Sequence, residues 1–507
     1  MLVRTSSGPG SSSAGSSLIR RVGWNGLAQI LPLLVQLALT PYLIRVLGLD
    51  GYGLWSLILV MIGTLSALDG GLGASLARFF AIHSARDVPA EAGRLVAGAV
   101  VIFVLLGLVV TGLAWIFAPT AVGWLDLTPA LHDQAVAALH WLGLLVLLAL
   151  LHGVVVSLLQ ANHRFRTLTI TTATGQSAYV VAAITLLHPD RAVELLVTVV
   201  ALRYGAGLLV GVFAVRGLVQ FRRPWLPSRE ERRAFGAYAG RMQLSSMTSF
   251  FNGEVDALVV AALLPVRYVG IFAAAHQVAS AARSLPLFAF PPLLTTLSNS
   301  FARGGHHEAV AEFDRIESRW LPLVLGYTLI GACVALFAVP IWLGDDFALA
   351  GLLAAVLILG YGVQVALTGV STCFVRSIGR PGLETRYSVV STIVNVVATV
   401  PLTLAIGALG VVSATALALI GASIYFVRLC RPLGLVDRRP PGMWWPAMAA
   451  AVGGTLLGEQ AIRQLGWHGP LAVAAAGAVG LAGLAILLVP MRSHLRSRLA
   501  PSGLEES

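Results

Sequence analysis

The chain has 507 residues, of which 57% are hydrophobic and only 11% are charged, and its mean hydropathy is +0.84. Soluble domains carry about 25% charged residues, so this composition excludes a cytosolic enzyme, a secreted disulfide scaffold and a nucleic-acid-binding protein. All 34 basic residues are arginine, and against 23 acidic residues they give a formal charge of +11. We therefore expect an integral membrane protein whose basic excess contacts anionic membrane lipids, with no nucleic acid among its partners.

The apolar runs predict the transmembrane helices, because a helix needs about 20 mostly apolar residues to cross the hydrocarbon core. Fourteen runs meet this length: residues 23–46, 53–77, 95–118, 134–160, 168–187, 192–215, 238–264, 270–297, 320–343, 348–373, 387–407, 409–430, 443–465 and 469–490. These runs lack the alternating pattern of barrel strands, so we predict an all-α polytopic membrane protein with 14 transmembrane helices. Residues 1–22 are predicted to form a disordered cytoplasmic tail.

The arginines predict the orientation of these helices, because cytoplasmic loops hold the basic excess. If the N-terminus is inside, only Arg45, Arg191, Arg267 and Arg463 fall in outer loops. We therefore predict a multi-pass protein of the bacterial cytoplasmic (inner) membrane, with both termini cytoplasmic. The loops are too short for a catalytic domain, and the chain has no GxxxxGK[ST] loop or metal-ligand cluster. We expect neither enzymatic activity nor a cofactor or metal.

Two short matches indicate an internal repeat. Residues 47–55 align with residues 264–272 at an offset of 217, which places Gly53 on Gly270, and an offset of 216 places Arg164 on Arg380. The repeat predicts two six-helix halves of the same orientation, related by a pseudo-twofold axis along the membrane normal. The predicted organisation is a six-helix bundle at 23–219, a cytoplasmic linker at 220–237, a second six-helix bundle at 238–430, two additional helices at 431–490 and a cytoplasmic tail at 491–507.

Polar residues recur at helical spacing in four of the predicted spans. They are Asn25, Gln29, Gln36 and Thr40 in the first span, Ser66 and Asp69 in the second, Arg241, Ser245, Thr248, Asn252 and Asp256 in the seventh, and His276, Ser280 and Arg283 in the eighth. A polar stripe in a membrane helix marks a face turned to a cavity or to another helix. Because the repeat pairs these helices, we expect all four to line a central hydrated cavity.

Each stripe also has a second interpretation. Uncharged polar residues in membrane helices often form only interhelical hydrogen bonds, worth about 0.6 kcal/mol each. Asp69 and Asp256 either face the cavity as ion-coupling groups or form buried pairs with arginine. Arg203 and Arg283 either bind an anionic group or neutralise a nearby carboxylate. The regular but uncharged stripes at 361–371 and 388–399 are interpreted as packing.

The stretch from Asn25 to Arg78 carries a family resemblance. It contains Pro41, the turn LGLDGYGLW at 47–55 and the run DGGLG at 69–73, and fainter matches follow at 264–272 and 376–381. In these motifs the chain resembles the Wzx-like oligosaccharide flippases of polysaccharide export, a branch of the MOP superfamily that also contains the lipid II flippases and the MATE drug antiporters.

The resemblance implies two six-helix bundles, as in MATE proteins and lipid flippases, with a cavity that opens alternately to each side. The implied substrate is a lipid-linked oligosaccharide, on polyprenyl diphosphate, flipped from the inner to the outer leaflet for cell-surface polysaccharide biosynthesis. Arginine forks suit a diphosphate, and the expected substrate-binding residues are Arg283, Arg241, Arg45, Asn25, Gln29, Gln36, Ser245, Asn252 and His276. Asp69 or Asp256 is expected to carry an exchanged H⁺ or Na⁺. Polysaccharide polymerases and glycosyltransferases are the expected protein partners.

Two other functions stay open on the sequence. A MATE-like antiporter of organic cations or drugs predicts a cavity with negative net charge and an aromatic lining, against which Arg283 argues. A membrane glycosyltransferase or polymerase needs an extended outer loop or a catalytic domain, and the chain has neither.

Overall fold

The computed structural model of the chain describes residues 11–67, 89–125, 127–188, 192–220, 255–380, 382–435 and 472–482, with isolated residues between 75 and 80, 229 and 236, and 454 and 464. For residues 11–25 it describes the backbone alone. Every regular element in these ranges is helical. The chain separates into two compact units, Met1–Phe250 and Phe251–Ser507.

The N-terminal unit contains six described helices. They are α1 (Ser11–Ala67), α2 (Pro89–Gly123), α3 (Pro129–His140), α4 (Leu142–Ala161), α5 (Phe165–Leu186) and α6 (Ala192–Val215). In this unit α4 packs against α2 and α6, and α5 packs against α1 and α6. α1 is broken at Gly48, where φ is 69°, a left-handed conformation that favours glycine. The break falls between the first two predicted spans.

The C-terminal unit contains seven described helices. They are α7 (Val255–Leu263), α8 (Val266–Leu287), α9 (Phe290–Leu343), α10 (Ala348–Ser377), α11 (Gly382–Ile406), α12 (Ala408–Leu429) and α13 (Ala472–Ala482). α10 is the central helix, since it packs against α8, α9 and α12 and buries residues on every side. α13 packs its Ala472 and Ala476 against Cys333 of α9.

The described helices form a multi-pass membrane protein. Eight helical segments are long and apolar enough to cross a bilayer by length and composition, while the number fourteen stays a prediction. α2 shows the lipid-facing pattern clearly: Leu105, Leu108 and Ile116 are 58–68% exposed, which is costly in water and favourable in lipid.

Two predicted spans have different boundaries in the structure. The run 134–160 is two helices, α3 and α4, separated at Trp141. The run 270–297 is also divided, because α8 ends at Leu287, next to Pro286, and α9 begins at Phe290. Residues 299–319, which lie between the eighth and ninth predicted spans, are helical and belong to α9, which is bent at Gly304 and Gly305.

The turns that end α4 and α10 share one backbone geometry at the predicted repeat offset. After α4, His163 has a φ of 54° and the N–H of Arg164 donates to the carbonyl of Leu159 at 2.9 Å. After α10, Gly379 has a φ of 74° and the N–H of Arg380 donates to the carbonyl of Val375 at 2.8 Å. A left-handed residue followed by this bond is a common helix-terminating motif. Both pairs of positions differ by 216, as the sequence match predicts.

The helix order after these turns also corresponds. α6 begins at Ala192 and α12 at Ala408, again 216 residues apart. Within its own unit, α6 packs against α4 and α5, and α12 packs against α10 and α11. α6 and α12 therefore have corresponding packing partners in the two units. The predicted domain boundaries at 220–237 and 431–490 lie largely outside the described residues and stay predictions.

Candidate functional site

α1 exposes two faces that lie on opposite sides of the helix. Gln29 and Gln36 are exposed, and so are Leu27 and Leu34. Because each residue advances about 100° around a helix, the two glutamines lie about 200° from the two leucines. The leucine face suits lipid, whereas a glutamine face in the same span needs water or a polar partner. α1 therefore has one face suited to lipid and an opposite face suited to a polar environment.

Two other polar residues of α1 differ from the exposed glutamines, because Thr40 lies on their side of the helix but is buried, and Arg45 lies on the opposite side. Thr40 is buried, and its hydroxyl donates to the carbonyl of Gln36 at 2.7 Å. Arg45 is exposed, and helical spacing places it on the side of Leu27 and Leu34. The structure thus separates Arg45 from the glutamines. The side chain of Asn25 lies outside the described residues.

Arg283 is an interior cation of the C-terminal unit. Its Cζ lies 4.8 Å from the centroid of the Tyr361 ring, which belongs to α10. Its Nε is buried without a hydrogen-bond partner, and among the described residues no carboxylate forms an ion pair with it. A guanidinium held over a ring keeps the N–H groups at its edge available for oxygen acceptors. Arg283 can therefore bind an anion.

His276 lies two turns before Arg283 on α8 and belongs to the same cluster. Its ring stacks on Phe272 with the centroids 5.8 Å apart and meets Tyr361 edge-on at 6.4 Å. Its Nε2 lies 3.4 Å from the Oγ of Ser280. The structure thus brings together the three polar residues predicted for the eighth span, on the side of α8 that faces α10.

Neighbouring helices fix the backbone and side chains around this cluster. The Tyr327 hydroxyl of α9 donates to the carbonyl of Ala282 at 2.9 Å, next to Arg283. One turn beyond Tyr361, the Gln364 amide donates to the Tyr387 hydroxyl of α11 at 2.7 Å. These bonds join α8 to α9 and α10 to α11, so the arginine and its tyrosine are held on packed helices.

Asp256 forms a second cluster in the same unit. It is 4% exposed, and its Oδ2 accepts a hydrogen bond from the hydroxyl of Thr415 on α12. Asn395 of α11 donates to that threonine at 3.3 Å and accepts from the Thr399 hydroxyl at 2.6 Å. The Oδ1 of Asp256 is buried without a hydrogen-bond partner, and none of the ion pairs in the described ranges involves this carboxylate.

This geometry contradicts the packing interpretation for part of one stripe. Asn395 and Thr399 share a hydrogen-bonded network with the carboxylate, although the sequence analysis interpreted 388–399 as packing. The stripe at 361–371 likewise supplies Tyr361, the ring beneath Arg283. The hydroxyls and amides at helical spacing indicate that these helix faces are polar. The spacing does not indicate which charged residue each face contacts.

The remaining predicted site residues lie outside the described part of the chain. They are Asp69, Arg241, Ser245 and Asn252. Their roles, and the convergence of the first, second, seventh and eighth spans on one cavity, stay predictions.

A comparison with protein families identifies the chain. The model of the family described as "Polysaccharide biosynthesis protein" matches residues 18–294, which are more than half of this chain. The chain belongs to this family. Outside the family model, a protein of Shigella flexneri described as a "Putative O-antigen transporter" is 22% identical over 337 residues, which cover 65% of this chain and 78% of the relative.

Solved structures of similar fold agree with this family assignment. The lipid II flippase MurJ in an inward closed conformation has a TM-score of 0.66 at 14% identity, covering 93% of this chain and 99% of MurJ. An inward-facing multidrug resistance MATE family transporter of the MOP superfamily has a TM-score of 0.56 at 14% identity, covering 80% of this chain and all of that one. This member of the polysaccharide biosynthesis family therefore has the same fold as MurJ and the MATE transporter, as the resemblance implied, and the named relatives are described as transporters and a flippase.

Proposed function

We propose that the chain flips a polyprenyl-diphosphate-linked oligosaccharide from the inner to the outer leaflet of the bacterial cytoplasmic membrane by alternating access, for cell-surface polysaccharide biosynthesis. Family membership supports a role in polysaccharide biosynthesis. The names of the O-antigen transporter and of the lipid II flippase support a lipid-linked saccharide as the substrate. We further propose that both termini are cytoplasmic, as the arginine distribution predicts.

The observation that carries this proposal is the guanidinium edge of Arg283, which pairs with no carboxylate among the described residues. A cation at mid-helix costs about 2.5–3.5 kcal/mol to insert, and no described carboxylate offsets that cost. The diphosphate of a lipid-linked saccharide presents oxygens to which the guanidinium forms charge-assisted bonds. Gln29 and Gln36 of the N-terminal unit offer amides suited to sugar hydroxyls.

The energetics of this step favour export. The membrane potential, negative inside, stabilises outward movement of an anion by about 2.3 kcal/mol per charge per 100 mV. An ion gradient adds to this through Asp256, since carboxylate, hydroxyl and amide oxygens are the ligands that a hard cation prefers, and a carboxylate also accepts a proton. We propose Asp256, within its network with Asn395, Thr399 and Thr415, as the coupling residue.

Substitution of Arg283 tests the proposed function. In a deletion strain we expect lipid-linked saccharide to accumulate on the cytoplasmic face, and the wild-type gene to restore its export. We expect Arg283→Ala to reduce export at least about tenfold, the factor that 1.4 kcal/mol of lost binding produces, with normal membrane insertion. The matched control is Arg315→Ala, because the Arg315 side chain is 71% exposed and pairs with Glu312.

Two outcomes would contradict the proposal. Wild-type export by Arg283→Ala removes this arginine as the anion-binding group. Unchanged distribution of lipid-linked saccharide in the deletion strain, together with loss of organic-cation resistance, would instead indicate the MATE-like antiporter.

A further inference from the structure

Arg203 lies at the middle of α6 on the helix face that is turned into the N-terminal unit. Val199, Val200 and Gly207 on this face are buried, whereas Leu202 and Leu209, about 100° and 120° around the helix from Arg203, are exposed. By helical spacing Arg203 lies between Val199 and Gly207. A charged residue at mid-span that faces the protein interior is a candidate functional residue, because inserting a charge into the membrane costs free energy.

Two tyrosines hold the Arg203 guanidinium. Its Cζ lies 5.5 Å from the ring centroid of Tyr179 on α5 and 5.4 Å from that of Tyr204 on α6. Both distances are within the range of cation–π attraction. Within the described ranges Arg203 has no ion pair, and no hydrogen bond from its guanidinium occurs there. The rings therefore position the group, while its N–H edge has no acceptor among the described residues.

His152 of α4 extends this cluster. Its ring lies 6.1 Å from that of Tyr204, and its Nδ1 is buried without a hydrogen-bond partner in the described structure. An arginine fork and a second polar nitrogen beside the same tyrosine together supply donors for an anionic group.

Two glycines bring these helices close enough to form the cluster. A Cβ at Gly207 of α6 would lie 2.8 Å from Cε1 of His152, and a Cβ at Gly175 of α5 would lie 2.7 Å from the carbonyl oxygen of Arg203. Both distances are shorter than van der Waals contact. The arginine, the tyrosines and the histidine are therefore positioned by close helix packing.

The repeat relates this cluster to the one at Asp256. Tyr179 and Asn395 are separated by the repeat offset of 216, as are Val199 and Thr415. Arg203 lies one turn after Val199 on α6, and the corresponding helix α12 supplies Thr415 to the carboxylate of Asp256 on α7. The equivalent helices therefore contribute to a cationic cluster in the N-terminal unit and to a cluster around a carboxylate in the C-terminal unit.

We propose that Arg203, positioned by Tyr179 and Tyr204, is an anion-binding residue of the N-terminal unit that contacts a phosphate or a sugar carboxylate of the translocated headgroup. The inference rests on the proposed function for the identity of the cargo. It adds an anion site on α6, separate from Arg283 on α8, and so gives each unit its own cationic contact to the substrate.

Binding of two small anions to the purified full-length protein tests this assignment. Inorganic pyrophosphate represents the phosphate source and glucuronate the sugar carboxylate, and calorimetry measures the affinity for each. We expect Arg203→Gln to weaken binding of at least one probe about tenfold or more, while Arg203→Lys keeps the charge and loses less. The control is Arg216→Gln, since Arg216 is exposed directly after α6 and its Cζ lies 4.0 Å from the ring centroid of Phe213.

Tyr204→Leu keeps the arginine and removes one ring, so it separates positioning from charge. We expect an intermediate loss of affinity for the same probe, and a monodisperse elution profile for each variant shows that it is folded. Loss for pyrophosphate alone assigns the site to phosphate, and loss for glucuronate alone assigns it to acidic sugars. Wild-type affinity of Arg203→Gln for both probes, or no binding of either probe by the wild-type protein, overturns the proposal.

The outcome is independent of the test of the proposed function. If export does not depend on Arg283 but the anion affinity depends on Arg203, the proposed function fails and the anion site remains. If export depends on Arg283 while Arg203→Gln binds and exports normally, the site fails and the proposed function remains.

Discussion

Asp256 joins three helices through one carboxylate. Thr415 donates to one of its oxygens, while the other is buried without a hydrogen bond or a cation among the described residues. A buried charge without a partner is costly, so the site is suited to take up a proton or a small cation. The carboxylate lies on α7, Thr415 lies on α12, and Asn395, which donates to Thr415, lies on α11. We therefore expect binding of a proton or a cation at Asp256 to affect the packing of these three helices.

Asp256→Asn tests this role because it keeps the shape of the side chain and removes the charge. In proteoliposomes loaded with a lipid-linked saccharide, we expect the variant to lose the dependence of transport on a Na⁺ or H⁺ gradient and to slow at least about tenfold, equivalent to 1.4 kcal/mol. The control is Asp346→Asn, because the Asp346 side chain is exposed. Retained gradient dependence in Asp256→Asn would exclude this carboxylate as the coupling group.

The charged residues of the site could be predicted from the sequence, as could the polar residues that share a helix face with them, such as His276 and Ser280. Asp256 and Arg283 are conspicuous because charged residues are rare in apolar runs. Their partners are not, since Thr415 is 159 residues from Asp256 along the chain and Tyr361 is an ordinary aromatic of an apolar helix. Helical spacing indicates which residues share a face, but it does not indicate which helix that face meets.

At the level of the helices, glycine determines how closely α10 and α12 approach. A Cβ at Gly360 of α10 would lie 2.8 Å from the Cα of Ala416 on α12. Because that neighbour is backbone, it cannot move without shifting the helix. The approach also aligns α12 for its contact with Asp256, through Thr415.

Gly360→Val therefore is expected to destabilise the C-terminal unit by about 1–3 kcal/mol, the usual cost of overpacking. The measurement is the thermal unfolding midpoint of the protein in detergent. Gly421→Val on α12 is the control, because no atom lies within 4 Å of a Cβ at that position. Equal midpoints for the two variants would show that α10 and α12 are not in close contact at Gly360.

Helix boundaries followed from the sequence where composition changes sharply. The run predicted at 192–215 coincides with α6, which begins after the charged and proline-containing sequence HPDR at 188–191. The break at Trp141 was missed because a single residue with φ −89° and ψ −1° ends α3 without glycine or proline. The end of α8 was missed for a different reason: the apolar pattern continues through Pro286, although proline disrupts helical hydrogen bonding.

At the level of the whole molecule, the repeat constrains the topology. An even number of spans between equivalent positions places them on the same side of the membrane, and the turns after α4 and α10 have equivalent geometry. The arginine distribution predicts that both turns are cytoplasmic. Orientation relative to the membrane is therefore a prediction from the sequence, whereas the turn geometry could be recognised only in the folded chain.

Cysteine labelling tests the orientation directly. The native cysteines Cys333, Cys373 and Cys430 are buried, so the wild-type protein is expected to react poorly with a membrane-impermeant maleimide. Asp133, whose side chain is 91% exposed, lies in a predicted outer segment, while Arg164 and Arg380 are exposed at the two equivalent turns. We expect Asp133→Cys to label in intact spheroplasts and Arg164→Cys and Arg380→Cys to label only after permeabilisation. Labelling of Arg164→Cys and Arg380→Cys from opposite sides would contradict the even number of spans between them, because two halves of the same orientation must present equivalent turns to the same compartment.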